Sequence, residues 1–153
     1  MPYSLTRLNE AVRSDPGAFA RECDAAFAKK VENAAGRIAE HRRESRVILL
    51  SGPSGSGKTT TLERTIEALQ GRFRIGVMEA DIDSDVDAKT ISRTGAGTIQ
   101  LHTGGMCHLD AGMTRQGLSE LGTKDLDLVV LENVGNLVCP AEFDTGAAKN
   151  VMI

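Results

Sequence analysis

Gly52, Pro53, Ser54, Gly55, Ser56, Gly57, Lys58 and Thr59 follow one another in the pattern G-x-x-x-x-G-K-[ST]. The chemistry this spacing suits is phosphate binding. Glycines let successive backbone N–H groups turn inward around an anion, Lys58 brings positive charge to β- and γ-phosphates, and Thr59 offers a hydroxyl to Mg²⁺. Thr60 continues the start of a helix whose dipole favours the same anion. The flanks agree. Val47 to Leu50 is a short apolar strand, and Leu62, Ile66 and Leu69 recur on one helical face behind the loop. A glycine-rich turn without a ligand would not need strand, loop and helix in this register.

Such a loop needs a partner for Mg²⁺ on the far side of the phosphates, usually at the C-terminal end of a neighbouring apolar strand. Glu132 stands directly after the apolar run Leu126 to Leu131, and Gly135 three residues on makes a D-x-x-G-like arrangement with Glu in place of Asp. The N–H of Gly135 would sense a terminal phosphate. Asp81, at the end of a second strand beginning at Arg74, is the other candidate for Mg²⁺ or its waters. Lys58, Asp81 and Glu132 are thus the candidate catalytic groups. The bland alternative for Glu132 is an acidic residue that merely ends a strand.

Cys107, His108 and Cys139 form a third group. Thiolate and imidazole are preferred ligands of Zn²⁺ and Ni²⁺. Spacing alone argues weakly for a metal, because no C-x-x-C is present and free cysteines are commonly buried and inert. Three ligands would also leave an open position or require a second protomer. Cys23 falls on the apolar face of an N-terminal helix and reads as packing.

These groups need a scaffold, and the chain has one domain's worth of residues, 153, of which 41% are hydrophobic and 25% charged. The net charge of -3 argues against a basic nucleic-acid-binding surface. No apolar run reaches the ~20 residues that span a bilayer, and the first residues lack a signal-peptide core. The expectation is a cytoplasmic protein with neither membrane nor nucleic acid among its partners, whose three cysteines are thiols or ligands. Residues 1–15 read as polar with scattered apolar positions. Asp15 and Pro16 start a helix to about Arg43, with Phe19, Cys23, Phe27, Val31, Ala34 and Ile38 on its apolar face. Strands are expected at Arg74–Met78, Thr98–His102 and Leu126–Leu131. A short helix is expected over Lys89–Arg93, and another carries Leu109, Met113, Gly117 or Leu118, and Leu121. The acidic run from Glu79 to Asp87 reads as mostly solvated. Alternating strands and helices predict an α/β fold, a P-loop NTPase with a mostly parallel sheet covered on both faces. An N-terminal helical extension (1–45) would precede a P-loop domain (46–153), which looks C-terminally incomplete because Lys149 to Ile153 opens a strand with no helix after it.

Thr103 to Ala111, containing Gly104, Gly105, Met106, Cys107 and His108, closely resembles the hydrogenase nickel-incorporation GTPase (HypB) family. So does Leu131 to Phe143, with its Glu-Asn-Val-Gly-Asn-Leu-Val-Cys-Pro run, and so does Gly52 to Thr60. Glu79 to Ala88 is similar more loosely. The resemblance extends from about Ala35 to Ile153. It implies a GTP-dependent homodimer that delivers nickel to a [NiFe]-hydrogenase large-subunit precursor together with a small metallochaperone. It implies GTP hydrolysis to GDP and phosphate, with Mg²⁺ at Thr59, Asp81 and Glu132. It also implies that Cys107, His108 and Cys139 bind Ni²⁺ or Zn²⁺ where two protomers meet, which reverses the reading that spacing alone favours. The family's guanine-recognition motif would lie in a further section that this sequence does not contain. Two other readings stand beside this one: a non-catalytic metal-binding or dimerising fragment, and a P-loop small-molecule kinase.

Overall fold

The computed structural model describes residues 4–81, 91–136, 138–143, 145–146 and 150–152. Two helices come first, α1 (Leu5–Ser14) and α2 (Pro16–His41). Then follow β1 (Val47–Ser51), α3 (Lys58–Leu69), β2 (Ile75–Asp81), β3 (Gly97–His102), α4 (Ala111–Leu121), β4 (Leu128–Glu132), the short α5 (Cys139–Glu142) and β5 (Asn150–Met152). The strands form one parallel sheet in the order β3-β2-β4-β1-β5. Parallel neighbours need crossovers, and crossovers put helices on both faces, so a central strand must be apolar on both sides. All five residues of β4 are buried accordingly.

Each face of the sheet has its own core. On one, Ile48, Leu50, Val77 and Val130 pack against Leu62, Ile66 and Leu69 of α3 and Ala35 of α2. On the other, Leu49, Met78, Val129 and Leu131 pack against Leu109 and the half-buried Met113, Leu118 and Leu121 of α4. The side chains of α3 fall on the face their spacing predicts. Because β1, β3 and β4 run parallel, the loops after them gather at one end of the sheet, the end where ligands bind in open α/β sheets.

Several boundaries differ from the sequence reading, each for a local reason. Residues 5–14 are helical: Leu5, Leu8 and Val12 recur at helical spacing, and the Ser4 side chain caps the start by accepting from the Arg7 N–H at 3.2 Å. Asp15 does cap α2, accepting from Ala18 N–H at 2.8 Å. Only the second half of α2 reaches the core, and it does so through Val31 and Ala35, whereas Ala34 is exposed. The second strand continues through Glu79 and Ala80 to Asp81. The β4 strand begins at Leu128, because Thr123–Asp125 form a 3₁₀ turn that Leu126 closes, and Glu132 is its last residue instead of the one after it. Leu109 precedes α4, which starts after the Asp110 cap. Of the helix expected over Lys89–Arg93, residues up to 90 lie outside the described residues, as does most of the acidic run. No helix among the described residues is long and apolar enough to cross a membrane.

Candidate functional site

The phosphate loop bridges β1 and α3, with Gly55 and Gly57 at φ of 74° and 88°, left-handed conformations that glycine adopts without strain. The α1, α2 and α4 helices each have a side-chain cap, from Ser4, Asp15 and Asp110. The N-terminus of α3 has none, because Gly57 occupies the cap position. Its first-turn N–H groups thus face the loop, which fits an anionic ligand. Thr60 is exposed, and with Phe27 and Val31 it lines a groove of about 730 Å³ between α2 and α3.

Lys58 and Thr59 converge on Glu132. The Thr59 hydroxyl donates to Glu132 Oε1 at 3.1 Å, and Lys58 Nζ lies 4.0 Å from the same oxygen while donating to the Pro53 carbonyl at 3.3 Å. Lys58 and Glu132 are 8% and 3% exposed. Burying an ion pair is costly unless hydrogen bonds support it, and here the loop carbonyl accepts from Lys58 and the Thr59 hydroxyl serves Oε1 of Glu132. A hydroxyl beside a carboxylate is a hard-oxygen donor pair of the kind Mg²⁺ takes, so the residues present fit that ion. Asp81 ends β2 two positions beyond Glu79, which pairs with Glu132 in the sheet register; the Asp81 side chain lies outside the described part.

Gly135 approaches the loop from the other side. Its carbonyl accepts from the Ser54 N–H at 3.2 Å, and a Cβ at Gly135 would stand 3.1 Å from Ser54 Cα. The contact is made by the carbonyl of Gly135, whereas its N–H was the group expected to read phosphate. The segment from Glu132 to Gly135 is therefore laid directly on the phosphate loop.

That segment runs on into α5, where Cys139 meets Cys107 from the loop after β3. The Cys139 thiol lies close enough to the Cys107 thiol that this neighbour, together with desolvation, pushes its pKa up. His108 does not join them. Its ring stacks on Phe143, centroids 3.6 Å apart and planes 10° from parallel. Among the described residues no three of His, Cys, Asp or Glu are grouped so as to hold a metal ion. Cys23 is half-buried on α2, away from these groups in sequence and element.

Glu79 opens the acidic run that the sequence reads as mostly solvated, yet it is buried. It is 2% exposed, and its strand position pairs it with Glu132 on one side and Gln100 on the other. An acidic residue after an apolar strand run is the available signal, and the acidic residues that follow it mask it.

Comparison with protein-family models matches residues 46–151 to the CobW/HypB/UreG nucleotide-binding domain. The chain belongs to this family. Among curated proteins, the hydrogenase maturation factor HypB of Azotobacter vinelandii is 50% identical over 105 residues, covering 69% of this chain and 34% of that protein. HypB of Escherichia coli K12 is 41% identical over 111 residues, covering 72% and 38%. The chain spans between 33% and 46% of the length of the curated relatives it matches. Among solved structures, HypB from Archaeoglobus fulgidus superposes with a TM-score of 0.63 at 36% identity, over 84% of this chain and 60% of that one. HypB from Helicobacter pylori, solved in complex with nickel, also gives 0.63, at 32% identity over 83% and 59%. The α/β P-loop architecture expected from the sequence is thus the fold of its structural neighbours.

Proposed function

We propose that this chain is a GTP-switched nickel carrier for [NiFe]-hydrogenase maturation. The observation that carries the reading is continuity: one short segment touches Thr59 through Glu132, Ser54 through Gly135, and Cys107 through Cys139. Nucleotide state and metal geometry are then two readouts of one piece of backbone.

In this reading the Gly52–Thr60 loop binds GTP, its N–H groups and Lys58 holding the phosphates. Thr59, Asp81 and Glu132 would hold Mg²⁺, which supplies charge neutralisation on the phosphates. Lys58 stabilises negative charge as water takes the terminal phosphoryl group, leaving GDP and phosphate. Phosphate entry must displace the Gly135 carbonyl from the Ser54 N–H, which moves the segment bearing Cys139. Ni²⁺ or Zn²⁺ is cargo, taken by Cys107, Cys139 and His108 with a second protomer completing the set, and passed with a small metallochaperone to the hydrogenase large-subunit precursor. Only a difference in metal affinity between the two nucleotide states can drive uptake and release. Residues 46–153 would be the switch unit, with residues 1–45 as a helical extension, in a cytoplasmic protein.

The test is a Ni²⁺ titration of the reduced protein with and without Mg²⁺ and a non-hydrolysable GTP analogue, following thiolate-to-metal absorption and light scattering together. Tighter binding near one metal per two chains, only with nucleotide, supports the switch. Binding indifferent to nucleotide leaves a metal-binding module without one.

A further inference from the structure

The loop after β3 and the α5 helix are joined by two adjacent side-chain pairs. Cys107 meets Cys139 thiol to thiol, and one residue further on His108 meets Phe143 ring to ring. Phe143 follows Cys139 by four residues, so the two pairs sit about one helical turn apart. The two pairs do different work. The thiols are neighbours, and the proposed nickel site would use them as two of its ligands. The imidazole, the third candidate ligand, lies in a parallel stack and is not grouped with the two thiols, and its Nδ1 is buried with no hydrogen-bond partner. A buried ring nitrogen without a partner is costly, and the described residues provide no group that uses it. Phe143 itself remains 42% exposed, and one face of its ring covers the His108 imidazole.

We infer that Phe143 is a positioning residue for the metal site: its ring holds the His108 imidazole in the stack and apart from the two thiols, so that metal capture requires the two rings to part. The inference rests on the reading that Cys107, Cys139 and His108 take Ni²⁺. The dithiol then forms a weak entry site, and the imidazole completes a tight one only after leaving the phenyl ring. Because Phe143 lies on the segment that continues from Glu132 and Gly135, displacement of that segment from the phosphate loop is one way to separate the rings. The cost of unstacking enters the apparent affinity directly, as the fraction of protein whose imidazole is free.

The experiment uses the full chain, reduced, titrated with Ni²⁺ against a chromophoric chelator. Phe143 is exposed, so Phe143→Ala and the milder Phe143→Leu leave the core untouched. Phe143→Ala is expected to bind Ni²⁺ about two- to tenfold tighter, the factor set by one aromatic stack. Adding His108→Ala to it should erase the gain, which a general loosening of the loop would not do. In ¹H NMR, the His108 ring protons of the apo-protein should be shifted upfield by the phenyl ring, and should lose that shift in Phe143→Ala and on loading with diamagnetic Zn²⁺. Unchanged or weaker Ni²⁺ binding by Phe143→Ala, or His108 signals that stay shifted in the Zn²⁺-loaded protein, would overturn the inference. Cys139→Ala separates the two levels. If it weakens binding while Phe143→Ala is neutral, the latch alone is wrong; if neither it nor any nucleotide changes binding, or no Ni²⁺ binds, the metal-site reading falls with it.

Discussion

At the phosphate loop, Lys58, Thr59 and Ser54 are each held by a partner fixed to the end of a strand or to the loop itself, and the ion pair at its centre is almost fully buried. At the cysteine loops, a few residues along the same backbone, the contacts are one thiol pair and one ring stack between a loop and a four-residue helix, all half-buried or exposed. The first region is positioned mainly by the ends of strands and the start of α3, and the second mainly by side-chain contacts and short turns within its loops. A site of the first kind holds its strand-borne groups in place, so that only the Gly135 contact has to give when phosphate enters. A site of the second kind has few buried contacts to lose, so it is the part that can change shape when the other is filled.

The largest effect that would break this comparison comes from Lys58→Ala. Removing the ammonium should cost nucleotide affinity roughly 100-fold or more, read by equilibrium titration with a fluorescent nucleotide. It also takes the ammonium away from the buried Glu132 carboxylate, a stability loss of about 3 kcal/mol that urea unfolding would report. Apo metal binding should survive in the folded variant; its loss in parallel would mean that the two regions are one site.

Cys139→Ala probes the other side. It should weaken Ni²⁺ binding at least about tenfold, with nucleotide affinity unchanged, while Cys23→Ala does neither. The reverse order between the two cysteines would put the metal elsewhere in the chain.

Gly135→Ala strikes the joint between the regions. The new methyl would sit 3.1–3.2 Å from Ser54 Cα, Cβ and N, backbone that cannot swing aside as a side chain could. The expected loss is about 1–2 kcal/mol in unfolding free energy. The sharper readout is coupling: in the variant, the nucleotide analogue should no longer change Ni²⁺ affinity, although each ligand still binds.

How much of this was legible in the sequence follows the same division. The phosphate loop could be read because its geometry is dictated by local chemistry, with glycines at positive φ between an apolar strand and an amphipathic helix. Glu132 could be read because a carboxylate ending an apolar run has few other uses. Helix α1 was missed although Leu5, Leu8 and Val12 have the right spacing, because short helices with no buried residue give little hydrophobic contrast. Glu79 was missed because β2 continues past the point where its apolar run ends, and only lateral pairing with β4 keeps it extended. The ring stack of His108 on Phe143 joins residues 35 positions apart through two loops, and no local pattern encodes such a contact. The pairing of Cys107 with Cys139 is of the same kind, and there only the resemblance to a family brought the two together.

The smallest effect is a control placed at the opposite end of the sheet. Asp127 precedes β4 and accepts from the Arg74 backbone N–H at 2.9 Å and from its Nε at 3.3 Å, pinning the starts of β2 and β4 together. The backbone N–H first, and then the Arg74 side chain, hold the Asp127 carboxyl below the usual carboxylate range. A carboxyl whose folded pKa is depressed stabilises the fold above its unfolded pKa and loses that contribution as pH falls through the folded one. Asp127→Asn should therefore be slightly less stable than the parent at neutral pH, with the gap closing as the solution is acidified below the carboxylate range. Denaturant midpoints measured across that range check the sign, and a gap that widened in acid would refute the assignment. Both nucleotide and Ni²⁺ affinities should be unchanged in this variant at neutral pH. If either moved, coupling between the two regions would have to run through the stability of the whole sheet instead of through the segment from Glu132 to Cys139.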